Sequence, residues 1–125
     1  MGRLRSPVIP ILLKGRKTFW TNALVDTGAD TSVLTKKVAE ILELDLSAKP
    51  QKVNGIGGET EAVLTELTII FETPHKTYKY QVPVFVVTDE TVDFPMLLGR
   101  AGFFKHFKIT FDESKEKVFL KPRPE

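Results

Sequence analysis

The stretch Ala23-Leu24-Val25-Asp26-Thr27-Gly28-Ala29-Asp30-Thr31-Ser32-Val33-Leu34 decides how this chain is read. Three apolar residues run straight into an acid, Thr and Gly follow, and the chain turns apolar again at Val33. A carboxylate at the end of an apolar strand is costly unless it is hydrogen-bonded or protonated. Asp26 therefore either caps the next turn or serves a reaction. The plainer alternative is an Asx-type turn, in which Asp26 accepts from the backbone two residues on and Gly28 supplies a positive φ. Composition alone produces Asp-Thr-Gly in roughly one chain in forty of this size, so the triplet by itself decides nothing.

The rest of the chain narrows the choice. Its 125 residues make one domain, 1–125, and are too few for two. The absence of Cys excludes a disulfide framework, thiolate metal sites and a cysteine nucleophile. Eighteen Lys and Arg face 16 Asp and Glu, a net charge of +2, so the basic footprint of a nucleic-acid binder is missing. No apolar run approaches the ~20 residues that span a bilayer. The basic start, Met1-Gly2-Arg3-Leu4-Arg5, leads into a short apolar run broken by Pro10, with no cleavage pattern of a signal peptide. The expectation is a soluble, cytoplasmic domain with neither nucleic-acid nor membrane partners.

Eight Gly and eight Pro punctuate short apolar runs, the rhythm of an all-β fold. Residues 7–13 and 18–25 form a hairpin with Gly15 at its turn. Residues 34–44 carry Val38, Ile41 and Leu42 at helical spacing, with Thr35 as the N-cap. Val63, Thr65, Leu67, Ile69 and Phe71 alternate along one strand, and Tyr78, Tyr80, Val82, Val84 and Val86 along another. Pro83 inside the second requires an edge or a bulge. Residues 99–106 suggest a short helix, and 107–111 with 118–120 a C-terminal hairpin. The sum is about seven strands and one or two short helices.

The segment around Asp26 resembles the active-site loop of the retropepsins, the retrovirus-type aspartic proteases. Asn54-Gly55-Ile56-Gly57-Gly58 is similar to that family's flap tip, and Met96-Leu97-Leu98-Gly99-Arg100 to its second signature. The three lie in the family's order and cover residues 17–105. The resemblance implies an acid-protease barrel with one half-site per chain. It also implies a homodimer in which each subunit supplies Asp26, and hydrolysis of extended, largely hydrophobic peptide segments by an activated water. Two carboxylates at close range share one proton, so one acts as base while the other is the acid. Gly28 lets its N–H approach the carboxylate, Thr27 reaches the partner loop, and Arg100 pairs with Asp30. Gly55, Ile56, Gly57 and Gly58 form a lid, and Leu24, Ala29, Ile56, Pro95 and Leu97 wall the central pockets. No metal or organic cofactor is implied. The competing reading is a non-catalytic peptide-binding or dimerisation module with the same fold.

The chain departs from the family in three places: the helix at 35–44, Ala101 after Gly-Arg, and the added hairpin at 107–121. The other candidate groups stay bland. His75 and His106 have no second ligand at metal spacing, Ser32 and Ser114 have no base partner, and Phe103, Phe104 and Phe107 read as core or dimer contacts. Of Phe19 and Trp20, adjacent on a strand, one faces outward. Ala29 offers no hydroxyl to the neighbouring carboxylate, so activity is expected to peak in mildly acidic solution. A pH–rate profile checks this, and a profile that stays flat down to about pH 2 would contradict it.

Overall fold

The computed structural model describes residues 8–26, 28–55, 58–72, 74–94, 96–102, 106–112, 114 and 117–122. In chain order they form β1 (Val8–Lys14), β2 (Thr18–Val25), β3 (Ser32–Thr35) and α1 (Lys36–Leu42). β4 (Gln51–Gly55), β5 (Gly58–Glu72), β6 (Thr77–Val87), β7 (Met96–Leu98), β8 (Phe107–Asp112) and β9 (Lys117–Pro122) follow. The larger sheet runs β1-β2-β7-β3-β6-β5-β4, and a further pairing of β1 with β5 closes its first six strands into a barrel. β4 extends from the barrel as a hairpin with β5. β8 and β9 form a separate two-stranded sheet.

Alternation along the strands fills this barrel. Ile9, Ile11 and Leu13 of β1, Ala23 and Val25 of β2, and Leu67 and Ile69 of β5 point inward. Val82, Val84 and Val86 of β6 and Met96 and Leu98 of β7 meet them. Each fully buried aliphatic side chain contributes roughly 1.5–3 kcal/mol of transfer free energy, which is what holds so small a sheet shut. The all-β expectation and both alternating strands hold. Pro83 is opposite Glu66 in an unbroken register, so there is no bulge. The β3–β6 pairing begins one residue later, at Ser32 and Val84. Pro83 thus sits where the outer flank of β6 has no ladder partner among the described strands, the edge solution rather than the bulge.

The helix is shorter than its periodicity suggests. Leu34 and Thr35 belong to β3, opposite Val86 and Val87, so the sheet claims the first turn. Thr35 occupies the N-cap position with extended backbone but makes no side-chain cap bond. At the other end Glu43 turns left-handed (φ 56°), and the Leu44 N–H donates to the Ala39 carbonyl at 3.0 Å. The expected helix at 99–106 lies partly outside the described residues: Arg100–Gly102 form a turn and 103–105, including Phe103 and Phe104, are not described.

The β1–β2 turn contains Gly15, as expected, for a reason the sequence hides. The turn packs against the end of α1, where the Arg16 and Lys17 N–H groups donate to the Leu42 carbonyl at 2.9 and 3.3 Å. These bonds satisfy a helix-terminal acceptor that would otherwise need water. A Cβ on Gly15 would lie 2.5 Å from the Leu42 oxygen and 2.7 Å from Leu44 Cδ2. Phe107 is 1% exposed and meets Phe71, Tyr78 and Tyr80 edge-to-face, at centroid distances of 6.1, 5.6 and 5.5 Å. His106 stacks on Tyr80 at 4.2 Å, so this aromatic cluster ties the C-terminal hairpin to β5 and β6. The outward residue of the Phe19–Trp20 pair is Trp20, 63% exposed.

Gly15→Ala is expected to destabilise the fold by about 1–3 kcal/mol through this overlap. The check is a urea unfolding midpoint that falls while the slope stays constant.

Candidate active site

β7 lies between β2 and β3, parallel to the first and antiparallel to the second. The chain leaving β2 must cross β7 before returning as β3, and that crossing carries Asp26. Each end of the crossing is tied to the end of β7. The Asp26 N–H donates to the Leu98 carbonyl at 3.0 Å, and the Ser32 hydroxyl accepts the Gly99 N–H at 3.0 Å. Between them, the Arg100 and Ala101 N–H groups donate to the carbonyls of Ala29 and Asp30 at 2.9 and 2.8 Å. The loop and the Gly-Arg segment are therefore stitched together by backbone, with one serine hydroxyl among the acceptors.

Asp26 is half-buried. Its Oδ1 accepts the Gly28 N–H at 3.0 Å, and its carbonyl accepts the Ala29 N–H at 3.2 Å. The two bonds fix the direction of the carboxyl group relative to the turn. Gly28 does not take a positive φ, so the Asx-type bond forms without the conformation expected of it. A Cβ at Gly99 would lie 2.7 and 2.8 Å from the Thr31 carbonyl carbon and oxygen and 3.0 Å from the Ala29 oxygen. This close approach of two backbones explains the Gly in Leu98-Gly99-Arg100.

Asp30 and Arg100 lie on adjoining rungs of this stitching, the Arg100 N–H bonded to Ala29 and the Asp30 carbonyl to Ala101, and both residues are exposed. Gly55 and Gly58 are the last pair of the β4–β5 hairpin, and Gly58, at φ 110° with open space around it, is required for its conformation. Thr27, Ile56, Gly57 and Pro95 lie outside the described residues.

Leu24 and Leu97 are directly opposite each other across β2 and β7, both half-buried on the outer face. They belong to a longer row. Val8 pairs with Leu24, Leu97 with Val33, Val33 with Phe85, and Phe85 with Leu64. Register partners point to the same face of a sheet. Six apolar side chains thus form a continuous outer row, from Val8 (49% exposed) through Leu24, two residues before Asp26, to Leu64 (41% exposed). The sequence contains a signal for it: Leu64 and Phe85 are apolar at positions where their strands' alternation calls for polar residues.

Beside the row, residues 88–94 connect β6 to β7. The Thr88 N–H and hydroxyl both reach the Glu61 carbonyl, at 3.1 and 3.2 Å. Asp89 accepts the Thr91 hydroxyl at 2.7 Å and its N–H at 2.9 Å, bonds that hold its carboxyl below the usual carboxylate range. Glu90 pairs with Lys36 at 3.0 Å and keeps that ammonium above its ordinary range. The groove there, about 370 Å³, is lined by five charged residues, Lys36, Lys37, Glu40, Glu90 and Asp93, with Thr35 and Val92, and shares no residue with the apolar row. Among the described residues no group of three or more His, Asp or Glu could hold a metal ion. No described helix is long and apolar enough to cross a membrane.

A closed six-stranded barrel with an Asp-bearing crossing over β7 is the retropepsin-like acid-protease fold. The family model described as aspartyl protease matches residues 9–101, and the chain belongs to that family. Among solved structures it is similar to the EIAV protease complexed with the inhibitor HBY-793, at 28% identity and a TM-score of 0.56, covering 77% of this chain and 83% of that one. It also resembles in fold a retropepsin-like aspartic protease from Rickettsia conorii, at 23% identity and a TM-score of 0.54 over 85% of each chain. No curated protein matches it in sequence.

Gly99→Ala forces a Cβ against backbone that cannot rotate away. It is expected to cost about 1–3 kcal/mol and to lower the thermal midpoint, measured by calorimetry.

Proposed function

We propose that this chain is an aspartic endopeptidase whose active site forms across the two-fold axis of a homodimer. Each subunit contributes one Asp26 to a carboxylate pair. The observation that carries this reading is Asp26 itself, held at the end of an apolar strand by the Gly28 N–H and by the Leu98 carbonyl. A lone carboxylate cannot be both base and acid at one moment, and the chain has one Asp-Thr-Gly. An isologous interface supplies the second at the same height, which is why a two-fold dimer completes the chemistry.

Two such carboxylates hold one proton between them because like charges at about 3 Å do not both ionise. The ionised one removes a proton from a water held between them. The water oxygen attacks the scissile carbonyl carbon while the protonated partner donates to the carbonyl oxygen. The tetrahedral adduct then collapses, the C–N bond breaks, and a carboxyl group returns a proton to the leaving nitrogen. No covalent bond to the enzyme forms. Gly28 fixes the carboxylate, Ala29 leaves it without a side-chain hydroxyl, and Asp30 with Arg100 braces the loop.

The substrate is an extended peptide lying between the pair and the β4–β5 hairpins of both subunits, which close over it and exclude water. Leu24 and Leu97, the second and third members of the six-residue apolar row, favour hydrophobic residues on each side of the scissile bond. Pockets of this kind discriminate by about 1–3 kcal/mol per methylene. No cofactor is needed.

Incubation with a mixed peptide library between about pH 4 and 7 tests this reading. The wild type is expected to cleave between hydrophobic residues and Asp26→Asn to cleave nothing. Equal absence of cleavage in both would favour a peptide-binding module. Leu24→Ala is expected to raise KM about tenfold for substrates with large apolar residues at the cleavage site, read from initial rates.

A further inference from the structure

The ends of the active-site crossing meet on a single peptide group. The Leu98 carbonyl accepts the Asp26 N–H, and the Gly99 N–H, on the same peptide bond, donates to Ser32 Oγ. Residue 26 opens the crossing and residue 32 begins β3 where it ends, so this one rigid plane sets the distance and direction between its two ends. Among the described residues four backbone N–H groups bond the crossing to residues 98–101, and three of these bonds run between backbone atoms, whatever the side chains. The fourth depends on a side chain. Ser32 is 0% exposed and is one of two buried polar residues among those described; the other is Thr35.

We propose that Ser32 is a positioning residue for Asp26, acting through the Leu98–Gly99 peptide. This deepens the proteolytic reading and rests on it. The physical reason is that a buried N–H left without an acceptor is costly, and the Gly99 N–H has no water to turn to beside a fully buried hydroxyl. With the hydroxyl removed, the peptide plane relieves that cost by rotating. Rotation of the plane moves the Leu98 carbonyl on its other side, and with it the acceptor that fixes the Asp26 N–H. Gly99 permits the rotation only at the expense of its contact with Thr31 and Ala29, which a Cβ would approach to 2.7–3.0 Å. The neighbouring bonds of Arg100 and Ala101 are the next to loosen. Ser32 thus serves chemistry from six residues away without touching substrate.

Ser32→Ala removes the acceptor, and Ser32→Thr keeps a hydroxyl. Two measurements are made on each beside the wild type, at a temperature where all are folded. The first is amide hydrogen exchange on the free protein. Ser32→Ala is expected to speed exchange at Gly99, Arg100 and Ala101 and at Asp26 by about tenfold or more, with the β5–β6 amides unchanged. Ser32→Thr restores the protection. Faster exchange at Gly99 alone would overturn the clamp. The second is peptide cleavage as a function of pH. Ser32→Ala is expected to lower kcat on the order of 10- to 100-fold with KM within about twofold, and to alter the pH profile of kcat. A lower melting temperature with unchanged kcat and pH profile would show a merely structural serine and overturn the proposal. If the wild type shows no cleavage that depends on Asp26, the proteolytic reading and the catalytic role of Ser32 fall together. The exchange data then still decide whether the peptide clamps the loop.

Discussion

Everything near Asp26 depends on the peptide between Leu98 and Gly99. Its oxygen receives the chain as it leaves β2 and its nitrogen binds the chain as it enters β3. A carboxylate on a free loop would sample many directions and lose entropy each time it acted. Here the loop is held at its start, its middle and its end by one short segment. The requirement reaches into the sequence: residue 99 must be Gly to let the two backbones approach, and residue 32 must accept a hydrogen bond where no water reaches.

The barrel exists to hold that segment. β7 is three residues long and is held only because β2 and β3 pair with both its edges. β2 is in turn held by β1, β3 by β6, and the β1–β5 pairing closes the circle. Core side chains from all six strands fill the interior, so the position of a loop on one rim is set by packing throughout. The outer face at the same level bears the apolar row from Val8 to Leu64. Its end members Val8 and Leu64 are exposed and the four between them half-buried.

Much of this was legible before the fold was known. The hairpin of β1 and β2, the inward phases of β5 and β6, and the loop at Asp26 follow from alternation and from one distinctive segment. Three features were hidden, each for a physical reason. β3 and β7 are too short for periodicity to register, so helical spacing extends to Leu34 and Ser32 reads as a serine without a base partner. Gly15 and Gly99 are glycines because of segments 27 or more residues away that press on them, which no local pattern reveals. The outer row emerges only from strand register, since its members come from six separate strands.

A chain with one Asp-Thr-Gly describes half of an acid-protease site, and the claim that two copies share it has a direct measurement. Wild type and Asp26→Asn are mixed at fixed total concentration, allowed to exchange subunits, and assayed for peptide cleavage. A site that needs Asp26 from both subunits gives activity that falls as the square of the wild-type fraction, leaving about a quarter in an equal mixture. A fall in simple proportion, leaving about half, would mean that each chain carries a complete site and would contradict the shared pair.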